Sequence, residues 1–139
     1  MSKETWDFVI VGPTTDEMVD DGVLVDLEEV YPDEKEKLAA SRKSGKFELG
    51  RLILTRRIYM AMDDEENINA NPENIVGCLS SHSMGYWGDV CEEDGQANES
   101  ALRYGRRLMS VYEAGLDEQV WIITEADRST TTVMFPSDY

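Results

Sequence analysis

A chain of 139 residues, 41% of them hydrophobic, has room for one domain with a real core. Its 29 acidic and 13 basic side chains give a formal net charge of −16. That argues against nonspecific attachment to nucleic acid or an anionic membrane, and suits a solvated acidic surface or a basic partner.

Trp6 to Val11 reads as a short strand, broken by Gly12-Pro13-Thr14-Thr15. Gly22 to Val30 holds a second apolar run, strand-like in its first half. Pro32 sits where a helix can begin. Asp33, Glu34 and Glu36 lie near the positive end of that helix dipole, Arg42 and Lys43 near the other, and Gly45 follows as a stop. Residues 1–46 are expected to form an N-terminal appendage of two short strands and a polar helix, packed on the main sheet or partly mobile. Residues 47–139 form the α+β core domain.

Phe47 to Thr55 is the first strand of that core. Thr55 is a candidate N-cap for a helix through Met62, which Asp63, Asp64, Glu65 and Glu66 should end because carboxylates are unfavourable at a helix C-terminus. Asn71-Pro72-Glu73 is a helix start, with Ile75, Val76 and Leu79 facing the core. Gly85 to Val90 is a turn-rich loop carrying Tyr86 and Trp87, and Asp94 is expected to cap the next helix, which stops at Gly105.

Three runs follow, within Arg106–Tyr112, Gln119–Ser129 and Thr130–Pro136, each read as a strand from alternation and β-branched or aromatic residues. Leu108, Ser110 and Tyr112 share one face with Met109 and Val111 on the other, and Trp121 and Ile123 oppose Val120 and Ile122. Gly115-Leu116-Asp117-Glu118 and Ala126-Asp127-Arg128-Ser129 are short enough to join them as hairpins. The fold expected is α+β: a C-terminal three-stranded antiparallel meander plus one earlier strand, covered by two or three helices.

From Phe47 onward the chain resembles a family of small proteins of bacterial plasmids, integrative elements and phages, some labelled restriction-modification related. The residues that carry the resemblance are Phe47-Glu48-Leu49-Gly50-Arg51, His82, Trp87-Gly88-Asp89, Asp94 to Asn98, Gly105-Arg106 and Ser110-Val111-Tyr112. To these are added Trp121 to Ser129 with Thr131-Thr132, closing at Pro136 and Tyr139. The resemblance implies a mobile-element setting and no particular chemistry. The chain departs from the family in the longer acidic linker around Asn67 to Asn71.

Among candidate sites, Glu125, Asp127 and Arg128 form the densest polar cluster. They are read either as a surface site shared with Trp87 and Asp89, or as a hairpin in which Asp127 accepts turn amides and pairs with Arg128. His82 is read as a packed, hydrogen-bonded histidine ahead of a general base, since no nucleophile signature stands beside it. Cys78 and Cys91 make no CxxC, and His82 cannot complete a zinc set with them, so reduced thiols and no metal or cofactor are expected. No apolar run approaches the ~20 residues that span a bilayer. With no signal-like start, a cytoplasmic setting follows.

Two functional expectations differ in class. The first is a non-enzymatic acidic interaction protein that docks on a basic, nucleic-acid-binding host or defence protein, in its strong form as a nucleic-acid mimic of the antirestriction or anti-CRISPR kind. Asp63, Asp64, Glu65, Glu66, Trp87, Asp89, Glu92, Glu93, Asp94, Glu125, Asp127 and Arg128 would supply its surface. The second is a small hydrolase similar in element order to the RelE and ParE toxins, using Glu125, Asp127, Arg128 and His82. Those toxins are basic, because they must approach phosphate. A homo-oligomer built on the aromatic loop is a third reading.

Overall fold

The computed structural model describes residues 18–19 and 22–139; the strand expected at Trp6 to Val11 lies outside them. Five strands form one mixed sheet, β1 (Leu24–Asp26), β2 (Arg51–Thr55), β3 (Leu108–Tyr112), β4 (Val120–Thr124) and β5 (Thr130–Met134), in the spatial order β1-β2-β5-β4-β3. The expected meander is its β5-β4-β3 half, antiparallel throughout, with Ser110 opposite Ile122 and Ile123 opposite Thr132. β2 lies parallel to β5, and β1 antiparallel to β2. The fold class is α+β.

Alternation assigns the two faces. Leu52 and Leu54 of β2, Val133 of β5, and Val120 and Ile122 of β4 point to the main core. Helix residues Leu27, Leu38, Ile58, Ile75 and Leu79 close that core, each at most 1% exposed. The other face carries a smaller cluster of Met109, Val111 and Ile123, with Trp121, Met134 and Val90 against it.

The segment 22–46 is built into this sheet and core. β1 pairs with β2, and its Asp26 caps α1 (Leu27–Val30) by accepting from the Glu28 and Glu29 amides. Asp26 also pairs with Arg51 at 2.8 Å. A 3₁₀ turn at Pro32–Glu34 leads into α2 (Lys35–Ser44), so the proline signal opens a tighter turn before the α-helix proper. The strand expected from Phe47 begins only at Arg51. Gly50 adopts φ +65°, and a side chain there would lie 2.3–2.4 Å from the Arg128 and Ser129 carbonyls. The chain must pass the β4–β5 hairpin as bare backbone before it can pair.

Thr55 caps α3 (Arg56–Met62) and Asn71 caps α4 (Pro72–Ser83), as the cap and proline signals indicate. The last long helix, α5 (Glu92–Tyr104), starts earlier than expected. The Cys91 Sγ accepts from the Asp94 amide, so Asp94 is the third helical residue and the cap is a thiol.

α5 seals the free edge of β3. The Asn98 side chain accepts from the Met109 amide at 3.0 Å and donates to the Met109 carbonyl at 2.6 Å. Its amide group stands where the peptide of a neighbouring strand would be, on a backbone edge that would otherwise invite pairing. Asn98 is 0% exposed. Asn98→Ala leaves a donor and an acceptor buried without partners. It is expected to cost about 2–4 kcal/mol, read as a lower midpoint in urea denaturation; a loss under ~0.5 kcal/mol would show the edge is held by other contacts.

Candidate functional site

The β4–β5 hairpin gathers Glu125, Asp127 and Arg128, and its internal bonding accounts for all three. Asp127 accepts from the Ser129 amide at 3.0 Å, and its hydrogen bonds with Ser129 hold its carboxyl below the ordinary range. Glu125 pairs with Arg107 at 2.9 Å. Arg128 has φ 61° and turns its guanidinium inward. There it donates to the carbonyls of Arg106 (2.6 Å), Glu125 (3.1 Å) and Ala101 (3.1 Å). The Ala101 carbonyl belongs to the last turn of α5, so Arg128 acts as a C-terminal cap on that helix. Burial lowers its affinity for the proton. The Asp127–Arg128 ion pair expected from adjacency does not form, because the arginine is spent on carbonyls.

Phe47 links this hairpin to the aromatic loop. The Arg128 guanidinium lies 5.7 Å from the Phe47 ring centre, and Phe47 stacks on Trp87 at 6.2 Å. Trp87 is 8% exposed and donates its indole N–H to Glu99 at 2.9 Å, so it is a core residue and no open stacking platform. Its neighbour Tyr86 is exposed.

Beneath them His82 is 0% exposed, with a ring nitrogen on each side committed: Nδ1 to Ser110 (2.5 Å) and Nε2 to Thr124 (2.8 Å). Thr124 is 2.7 Å from Thr131, whose hydroxyl donates to the Leu49 carbonyl at 2.6 Å. A carbonyl only accepts, which fixes the direction of the chain. Thr124 donates to Thr131, His82 Nε2–H donates to Thr124, and Ser110 donates to Nδ1. The ring is therefore the neutral Nε2–H tautomer. Desolvation, helped by the charge of Arg128, pushes its pKa down to about 3. Burial excludes substrate from this serine–histidine pair.

Asp89 stands apart from the hairpin. Its amide donates to the Val111 carbonyl and its carboxylate accepts from Gln119 at 3.1 Å, at the far end of β4 from Glu125. The length of the strand, roughly 16 Å at 3.3 Å per residue, separates the Asp89 and Asp127 carboxylates, so the site they were expected to share is not assembled.

What does assemble is an acidic rim at that far end. The Asp63–Glu66 loop is tied to the β3–β4 loop by Asn67 donating to the Gly115 carbonyl at 2.9 Å. The Tyr86–Asp89 loop is tied to β3 by Tyr112 donating to the Tyr86 carbonyl and by an isolated bridge between Gly88 and Val111. Gln119 and Asp89 join the two loops, and Glu92 and Glu93 begin α5 beside them. Asp63, Asp64, Glu65, Glu66, Asp89, Glu92 and Glu93 are all exposed, while Asp94 is 8% exposed. Exposed Glu113 and Asp117 belong to this rim too; in sequence Glu113 is a lone acid and Asp117 one of a pair with Glu118, both inside a turn-forming stretch. Ile68, 90% exposed, and Tyr86, 67%, are apolar points within it.

No lysine or arginine occurs between Arg57 and Arg103. The ion pairs among the described residues take Asp26, Glu28, Glu34, Glu73, Glu118, Glu125 and Asp138, and leave the Asp63–Glu66 and Glu92–Glu93 carboxylates unneutralised. Arg51, Arg106, Arg107 and Arg128 stand around the hairpin at the other end, and Arg57, beside the rim, is paired with Glu118 and Asp138. No three His, Cys, Asp or Glu side chains among the described residues converge as around a metal ion. No helix among them is long and apolar enough to cross a membrane.

The chain matches no protein-family model, no curated protein and no solved structure.

Proposed function

We propose that this is a non-enzymatic interaction protein of a mobile element, whose acidic rim docks on a basic, nucleic-acid-binding host or defence protein. One observation carries the reading: three loops and a helix start bring Asp63–Glu66, Asp89, Glu92, Glu93, Glu113 and Asp117 to one end of the sheet, where Arg57 is paired with Glu118 and Asp138 and with none of them. A field of one sign speeds encounter with a cationic partner and disfavours others. In its strong form the rim imitates a row of phosphates and inhibits the partner by occupying its nucleic-acid site, as antirestriction and anti-CRISPR proteins do. The resemblance of residues 47–139 to plasmid and phage proteins supplies the setting. The committed state of His82 and Arg128 weighs against the hydrolase reading.

The test uses a partner captured from host lysate and then purified. Association with the wild-type chain should slow by an order of magnitude or more between low and moderate salt. A variant neutralised at Asp63→Asn, Asp64→Asn, Glu65→Gln and Glu66→Gln should associate more slowly and lose most of its salt dependence. Duplex DNA should compete. Salt-insensitive binding by both proteins removes the proposal. Cleavage of RNA or DNA that is lost on Asp127→Ala would favour the hydrolase instead.

A further inference from the structure

We propose that the groove between α2 and α4 docks against the same groove of a second copy of this chain, the two copies related by a two-fold axis. The helices run side by side in the same direction. Lys37 pairs with Glu73 at 3.5 Å, the Ser41 and Ser80 hydroxyls share a hydrogen bond, and the Lys46 amide donates to the Ser83 carbonyl at 2.7 Å. On their outward side they leave an open groove of about 540 Å³ lined by small residues, Ala40, Ser41, Gly77 and Ser80 among them.

Charge names the occupant. Residues 35–46 hold Lys35, Lys37, Arg42, Lys43 and Lys46 against a single acid, Glu36. Arg42 is paired with Glu28 and Lys37 with Glu34 and Glu73, which leaves the charges of Lys35, Lys43 and Lys46 outside these ion pairs. Glu36 and Glu73 stand toward the start of the groove, and Lys43 and Lys46 toward its end; all four are exposed. A two-fold axis across the groove lays the acids of one copy on the lysines of the other, twice over, as an isologous contact requires. A basic partner would instead be drawn to the rim, and nucleic acid is opposed by the net charge. Gly77 agrees with a close neighbour. A glycine inside a helix costs about 1 kcal/mol relative to alanine. A Cβ placed there would meet nothing within 4 Å, so the chain's own packing does not call for its absence. The contact leaves the acidic rim free, and its own observations are the groove, the charges at its two ends and Gly77.

Sedimentation and light scattering over a wide concentration range test it. The wild type should reach twice the monomer mass. Lys43→Glu with Lys46→Glu, and separately Glu36→Lys with Glu73→Lys, should each stay monomeric, because each sets like charges together at both contacts. An equal mixture of the two variants should restore the dimer. Gly77→Gln should stay monomeric with an undiminished melting temperature. A wild type that stays monomeric, a mass that climbs past the dimer, a mixture that fails to associate, or a Gly77→Gln protein that dimerises as well as the wild type would each overturn the proposal.

Discussion

Replacing His82 by leucine is expected to lower the unfolding free energy by about 3–5 kcal/mol, measured in urea at neutral pH. The ring fills a site with no solvent exposure and partners Ser110 and Thr124, themselves 0% exposed. An aliphatic side chain restores the volume and leaves both hydroxyls without their shared partner. Thr124 can still reach Thr131, so Ser110 bears most of the loss. A loss below ~1 kcal/mol would mean water or a neighbour replaces the ring.

The same residue sets a pH dependence. Its folded pKa, about 3, lies below its ordinary 6.5. The neutral ring therefore contributes full stability above pH 6.5, and the contribution drains away as pH falls toward 3. Acidification also protonates carboxylates and relieves repulsion across a chain of net charge −16, which acts the other way. His82→Gln separates the two effects, because it keeps polar atoms in place and does not titrate. The advantage of wild type over His82→Gln should shrink by about 3 kcal/mol between pH 7 and pH 4. A constant gap would refute the buried neutral state.

Gly88→Ala is expected to cost roughly 3 kcal/mol or more. Gly88 has φ +75°, and its added Cβ would lie 1.9 Å from the Val111 carbonyl oxygen and 2.9 Å from the Tyr112 ring. Backbone cannot yield as a flexible side chain can, so the loop must lift from β3 and carry Trp87 outward. Tryptophan emission should shift to the red in the folded protein, with a lower denaturation midpoint. Gly105 is the control. Its φ is +70°, but a Cβ there meets nothing within 4 Å. Gly105→Ala should cost only the backbone preference, about 1–2 kcal/mol. Equal losses at the two sites would show that conformation, and not the close approach to Val111, governs Gly88.

Much of the architecture was legible because it is local. Alternation in Leu108–Tyr112 and Val120–Thr124 assigned faces that the structure reproduces, and Thr55 and Asn71 mark their helix starts by hydrogen bonds reaching three residues. The order of strands was not legible. Period-two patterning says which face a residue takes and not which strand lies beside it, so the insertion of β5 between β2 and β4 left no trace in the pattern. The cap of α5 was misplaced because Asp94 is the stronger capping residue by type, while the backbone turns in at Cys91. Arg128 was misjudged for a related reason. Its sequence neighbour is an aspartate, but the chain fold puts the end of α5 closer to its guanidinium than that carboxylate. The acidic rim was half visible: Asp63–Glu66 and Glu92–Asp94 are runs, whereas Glu113 and Asp117 join them only through contacts such as Asn67 with Gly115.

The central strand of the sheet is the last one in the chain. Until Thr130–Met134 has left the ribosome, β1–β2 and β3–β4 have no ladder between them. The sheet therefore closes only through pairings far apart in sequence, Arg51 beside Thr130 among them, and a ladder of that kind forms more slowly than a chain of local hairpins.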